Sequence, residues 1–250
     1  MSVCKVAMKA LLVLGCIGWV AAAIPSYIKV CKKNDPKIAE CITNSVNQLR
    51  PKLVEGIPEL NVPSLEPLPL DTIKLRSGPS QAKIDANITN LKVWGPSTFE
   101  VLEMKPNIPK NRFVFRINVP RIEFKGDYDM DMNVLILKYK GDGPLHGNLT
   151  NLGADVLMKG KIEKINGKNH LQFSKMLIHI TIEKAYFHLG DLFSRDPNLG
   201  RAMNEVVNDN SEIFLNEIRP ALEVSLADRF TEIANSILKR FTYDELFPAE

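Results

Sequence analysis

The sequence predicts an α+β fold: a long C-terminal α-helix wrapped by a strongly curved antiparallel β-sheet, with a second helix near the N-terminus. Three observations carry that expectation. Apolar residues recur every three or four positions only toward the two ends of the chain. Between about residues 71 and 189 they alternate with polar ones instead. No helix-length segment interrupts this middle block, so its strands should pair antiparallel.

Residues 1–23, "MSVCKVAMKALLVLGCIGWVAAA", have the layout of a secretory signal peptide. Lys5 and Lys9 precede an apolar run to Val20, and the small residues Ala21 and Ala23 lead to a cleavage point before Ile24. The run falls short of the roughly 20 apolar residues that a membrane span requires. The expected mature chain, 24–250, is a single domain of 227 residues. Its 30 Lys and Arg stand against 29 Asp and Glu, because two of the 32 basic residues leave with the signal. Nothing in that near-neutral balance suggests a polyanionic partner, so no nucleic-acid partner is expected. Cys31 and Cys41 remain as a close pair. In an oxidising compartment they are expected to form one disulfide, contributing about 3 kcal/mol on the chain-entropy model. The sequons at Asn87 and Asn148 are candidate glycosylation sites.

The N-terminal helix is expected to open at Asp35, as its cap, with Pro36 in the first position. Ile38, Ile42, Val46, Leu49 and Leu53 then form one apolar face, Pro51 tightens the last turn and Gly56 closes it. Pro58, Pro63, Pro67 and Pro69 make the following stretch an extended connector.

Alternation is clearest at Ile73/Leu75, at Ile84/Ala86/Ile88, from Phe113 to Val119 and from Met176 to Ile182. "SGPS", "GDGP" and "INGKN" read as the turns between strands. The stretch from about Pro197 to Phe241 returns to helical spacing. Phe214, Ile218, Leu222, Leu226, Phe230, Ile233, Ile237 and Phe241 drift around the helix, so it must be covered on several faces. A helix from Ser211 to Phe241 would span roughly 45 Å at about 1.5 Å per residue, with a mild kink at Pro220.

"DYDMDMN", residues 127–133, has the alternate acids of a calcium loop. The sixth position is Met132 rather than Gly, and the twelfth is Lys138 rather than Glu. The segment is better read as a strand with Asp127, Asp129 and Asp131 facing solvent, and no metal site is expected. Tyr128, Met130 and Met132 then face inward, as a loosely packed core or as the wall of an apolar cavity. No nucleophile elbow, zinc-protease or nucleotide-binding motif occurs. His146, His170, His179 and His188 are scattered, with His179 and Glu183 sharing a strand face. No catalytic residue and no cofactor is expected.

The cysteine pair with "GIPELNVPSLEPL", the segment "FKGDYDMDMNVLILKYKGDGPL" and the C-terminal "IRPAL…YDELFP" resemble the takeout family, relatives of insect juvenile-hormone-binding proteins. The resemblance spans essentially the whole mature chain. There are departures. Asn210-Ser211 stands where the family often has Asn-Trp, Thr242 where a Pro is usual, and Lys138-Tyr139-Lys140 where Leu-Pro is common. The juvenile-hormone-binding branch carries a second disulfide that this chain lacks, which favours the takeout side.

The resemblance implies a long helix in a curved sheet, enclosing an elongated apolar tunnel, in a monomeric extracellular carrier of a lipid or terpenoid with no stable membrane insertion. It transfers no binding motif. The lining residues expected from alternation and helical spacing are Phe113, Phe115, Ile117, Tyr128, Met130, Met132, Ile178, Ile180, Phe214, Ile218 and Leu222. The Pro-rich connector and the terminal "TYDELFPAE" are candidate gates. Alternative readings are a membrane-active or microbial-lipid-binding protein, an esterase, and a ligand-free interaction protein whose tunnel is filled by side chains.

Overall fold

The computed structural model describes residues 24–77, 83–134, 137–194 and 196–249. The signal-peptide expectation, at 1–23, and most of the "SGPS" turn lie outside those residues. Among the described residues seven strands form one antiparallel sheet.

Its spine is a hairpin of two very long strands, β4 (Arg112–Val134) and β5 (Leu137–Ile165). Each takes two successive neighbours on its far side. β3 (Glu100–Asn107) pairs with the first part of β4, and β2 (Lys83–Trp94) with the rest. β7 (Leu177–Leu189) pairs with the middle of β5, and β6 (Lys168–Phe173) with its end. β1 (Leu68–Ser77) lies outside β2.

The switch from β3 to β2 explains how a proline survives inside β4. The β3 ladder ends at Asn118 and the β2 ladder begins at Glu123, so Pro120 needs no partner for the N–H it lacks. Gly95, between the two neighbours, has φ +99°, and a Cβ there would stand 2.1 Å from the Arg121 carbonyl oxygen. The Glu66 carboxylate pins this crossing by accepting from the amides of Gly95 and Ser97 and from the Ser97 hydroxyl.

Helix α1 (Ile38–Glu55) packs beside β3, with Arg50 donating to the Phe99 carbonyl and lying over its ring. Cys31 and Cys41 are disulfide-bonded, with Cα atoms 6.0 Å apart. At the other end come α2 (Pro197–Asp209), α3 (Ser211–Leu238) and the single turn α4 (Tyr243–Leu246). α3 packs against both β1 and β7, which border the sheet on opposite sides, and so closes the curved sheet into a sleeve.

Three sequence expectations require correction. α1 starts at Ile38, not after Asp35, because Asp35 is spent on a preceding turn in which its carboxylate accepts from the Lys37 amide. The Asp-Pro cap occurs instead at Asp196-Pro197, where the carboxylate accepts from the amides of Asn198 and Leu199. "GDGP" is not a turn but runs within β5, with Gly141 opposite Met130 and Gly143 opposite Tyr128. Glycine is needed there for space, since a Cβ at Gly143 would stand 2.5 Å from the Gly190 carbonyl oxygen and 3.0 Å from the Tyr128 hydroxyl. The C-terminal helix breaks at Asn210 and ends at Leu238, leaving Phe241 buried beyond it in a satellite core with Ile57 and Leu60.

A candidate ligand cavity

Alternation along β4 puts Tyr128, Met130 and Met132 on the inner face, all nearly inaccessible, while Asp127 and Asp129 point to solvent. The same alternation on β1, β2, β5 and β7 sends Ile73, Ile84, Leu149 and Ile180 inward. α3 contributes Phe214, Ile218 and Leu222 from the open side.

These faces do not meet. They enclose a cavity of about 830 Å3, and all eleven residues that the sequence marks as candidate lining border it. Phe113 and Met132 both line it from β4. They are nineteen positions apart, a contour of roughly 60 Å at about 3.3 Å per residue. The lining also includes residues that the sequence left unassigned, among them Leu145, Leu149 and Val156 of β5 and Ile42 and Val46 of α1. Misreading "GDGP" as a turn obscured β5, although its apolar residues alternate as clearly as those of β4.

Aromatic residues cluster at both ends. At one, the Phe113 ring meets Phe173 edge-on at 5.7 Å and stacks with Phe247 at 6.1 Å. Leu246 and Phe247, from the terminal segment marked as a candidate gate, therefore border the cavity, while the connector contributes Leu65. A smaller pocket of about 170 Å3, reaching Lys29 and Ser45, lies behind Ile42, Val46 and Phe247. At the opposite end Tyr139 sits between Tyr128 and Phe193. The Tyr128 hydroxyl donates to the Gly190 carbonyl at 2.6 Å. Burial pushes the pKa of this phenol well up, reinforced by Tyr139 and by the charges of Asp191 and Asp142.

The histidines stand apart from the cavity lining. His146 and His188 face each other across β5 and β7 on the outer surface, with ring centroids 4.5 Å apart. His179 lies 3.1 Å from Glu223 of α3, whereas Glu183, expected as its neighbour, accepts from Asn151. Among the described residues no group of three or more potential ligands could hold a metal ion, and no helix is long and apolar enough to cross a membrane.

Residues 10–248 match the model of the haemolymph juvenile hormone binding protein family. The chain belongs to the haemolymph juvenile hormone binding protein family. The circadian clock-controlled protein daywake of Drosophila melanogaster is 23% identical over 251 residues, covering 95% of each chain. A putative beta-carotene-binding protein of Schistocerca gregaria is 21% identical, over 88% of each. The crystal structure of Takeout 1 from Epiphyas postvittana superposes with a TM-score of 0.74 at 22% identity. That match covers 88% of this chain and all of the other, and it shows the shared fold of a long helix in a curved sheet. This juvenile hormone binding protein family member is takeout-like in architecture.

Proposed function

We propose that this protein is a secreted, monomeric carrier that holds a hydrophobic small molecule, such as a terpenoid or another lipid, along the cavity. The observation that carries this reading is the cavity itself: about 830 Å3 left open inside an otherwise close-packed fold and bordered by apolar side chains. Affinity would come from removing ligand hydrocarbon from water, about 25 cal/mol per Å2, with no catalytic group needed. Membership of a binding-protein family supports the reading, as does the name of the locust relative. The eleven predicted lining residues would form the ligand contacts.

Secretion fits the signal-like residues 1–23 and the Cys31–Cys41 disulfide. Asn87 and Asn148 lie on outward faces of β2 and β5, where each would carry a glycan in a secreted protein. Native mass spectrometry of the secreted protein, followed by lipid extraction, tests the proposal. A lipid or terpenoid bound in near one-to-one amount is expected. A clean unliganded mass that persists after incubation with a lipid panel including juvenile hormones would overturn it in favour of a ligand-free interaction protein.

A further inference from the structure

Resting on the carrier reading, we propose that the cavity selects uncharged lipids (hydrocarbons, isoprenoids, long-chain alcohols and esters) over ionised fatty acids of the same chain length. The first reason is the wall. Fifty-two described residues line the cavity, and among them Tyr128 alone carries a polar side-chain atom. That hydroxyl is already committed to the Gly190 carbonyl at 2.6 Å. A carboxylate drawn inside meets no cationic or free donor side chain among the described residues. A charge buried without partners is driven to neutralise rather than to bind as an ion.

The second reason is the charge at the two ends. Asp142 and Asp191 act on the Tyr128 hydroxyl at one end, and Asp244 acts on Tyr243 at the other. Carboxylates therefore stand beside both, and an anionic head group left at the first end is repelled. The second end also has cations beside it. Lys29 lies in the adjoining pocket, behind Ile42, Val46 and Phe247, while Lys168 and His170 act on Glu245.

Size is compatible. A cavity of about 830 Å3 falls within the roughly 300–1,000 Å3 of small-molecule sites. An uncharged chain satisfies the wall, the first end and the volume together. A protonated fatty acid would also be admitted, so the affinity for acids should rise as pH falls.

Displacement of the neutral fluorescent probe N-phenyl-1-naphthylamine from the delipidated full-length secreted protein tests this. The competitors are tetradecanol, methyl tetradecanoate and tetradecanoic acid, each at pH 7.5 and pH 5.5. At pH 7.5 the alcohol and the ester are expected to displace the probe at concentrations at least tenfold below that of the acid, and the gap should narrow at pH 5.5. Displacement by the acid at equal or lower concentration at pH 7.5 would overturn the selectivity while leaving the carrier reading intact. If Lys29→Ala weakened the acid alone, the anion would be held at Lys29 and the selectivity argument would equally fail. Failure of the probe to bind, or of every lipid to displace it, would sink the carrier reading itself.

Discussion

Asn235 holds Phe173 by both of its backbone groups: the Phe173 amide donates to Asn235 Oδ1, and Asn235 Nδ2 donates to the Phe173 carbonyl, each at 2.8 Å. The arrangement recurs along the same seam. Asn208 grips Phe187 and Asn204 grips Leu189 in the same two-way manner, while Thr231 and Glu223 accept from the amides of Met176 and Ile180. The helix residues ascend as the strand residues descend, so the helices run antiparallel to the sheet border. The spacings match. Asn204 and Asn208 are about 6 Å apart along a helix, and Leu189 and Phe187 are about 7 Å apart along a strand. Polar helix side chains thus cover a sheet border that would otherwise offer unpaired backbone groups to another chain.

Asn235→Ala removes both bonds and leaves a half-buried amide and carbonyl without their partner. A loss of about 2 kcal/mol is expected from two hydrogen bonds of ordinary strength. Asn208→Ala should cost a similar amount, and the double variant the sum, since the two sites share no partner. Urea unfolding of the three variants measures this, and a double variant no less stable than either single one would contradict it.

Ala86 is buried on β2 and borders the cavity, opposite Met130 in the ladder. In Ala86→Phe the added ring projects into open volume rather than into packed core. Its stability should therefore change by less than about 1 kcal/mol, where overpacking a filled core costs roughly 1–3 kcal/mol. Binding of a hydrophobic probe should fall at least tenfold. Thermal unfolding and probe titration on the same sample separate the two effects. A large destabilisation with normal binding would mean that the site is packed core.

The Glu66 carboxylate accepts from the amides of both Gly95 and Ser97. Burial alone would raise its pKa, but the bonds from Ser97 and Gly95 outweigh that effect and hold the carboxyl below its ordinary value. The stabilisation is thus present above the unfolded value of about 4.3 and is lost as pH falls through the lower folded value. Glu66→Ala should cost about 2 kcal/mol at pH 7 and progressively less on acidification. Chemical denaturation at pH 7 and pH 3.5 reads the difference, and an equal cost at both would argue against the ionised form.

His146 acts in the same direction, at higher pH. Partial burial, then the neighbouring His188 and Lys125, hold its pKa below the ordinary value near 6.5. The unfolded chain takes up this proton first, so the fold loses stability as pH falls through that ordinary value and onward to the folded one. His146→Gln should retain more of its pH 7.5 stability at pH 5.5 than the parent does. Glu66 and Glu245, both held below ordinary carboxylate values, titrate outside that window. Urea midpoints at the two pH values test the prediction, and an unchanged slope in the variant would refute it.

The inward and outward faces of the strands were legible because their side chains alternate with period two. The sequence therefore determined that Tyr128, Met130 and Met132 oppose Asp127 and Asp129, and that Phe214, Ile218 and Leu222 share a helix that must be enveloped. It determined the existence of the elements and the residues that could face a ligand. Local pattern could not determine where those elements change neighbours. Pro120 lies safely within β4 because β3 ends before it and β2 begins after it, and that switch is made by Glu100 and Trp94, 18 and 29 positions from their partners Asn118 and Glu123. Gly141 and Gly143 read as a turn because glycine favours turns, yet what requires them is the space taken by Tyr139 at one and by the Gly190 carbonyl and Tyr128 at the other. Whether the inner faces met or stayed apart was also beyond pattern, because apolar side chains line a packed core and a cavity alike. The tertiary structure decided it: α3 bridges β1 and β7 at a distance that the inner side chains do not fill, and about 830 Å3 remains between them.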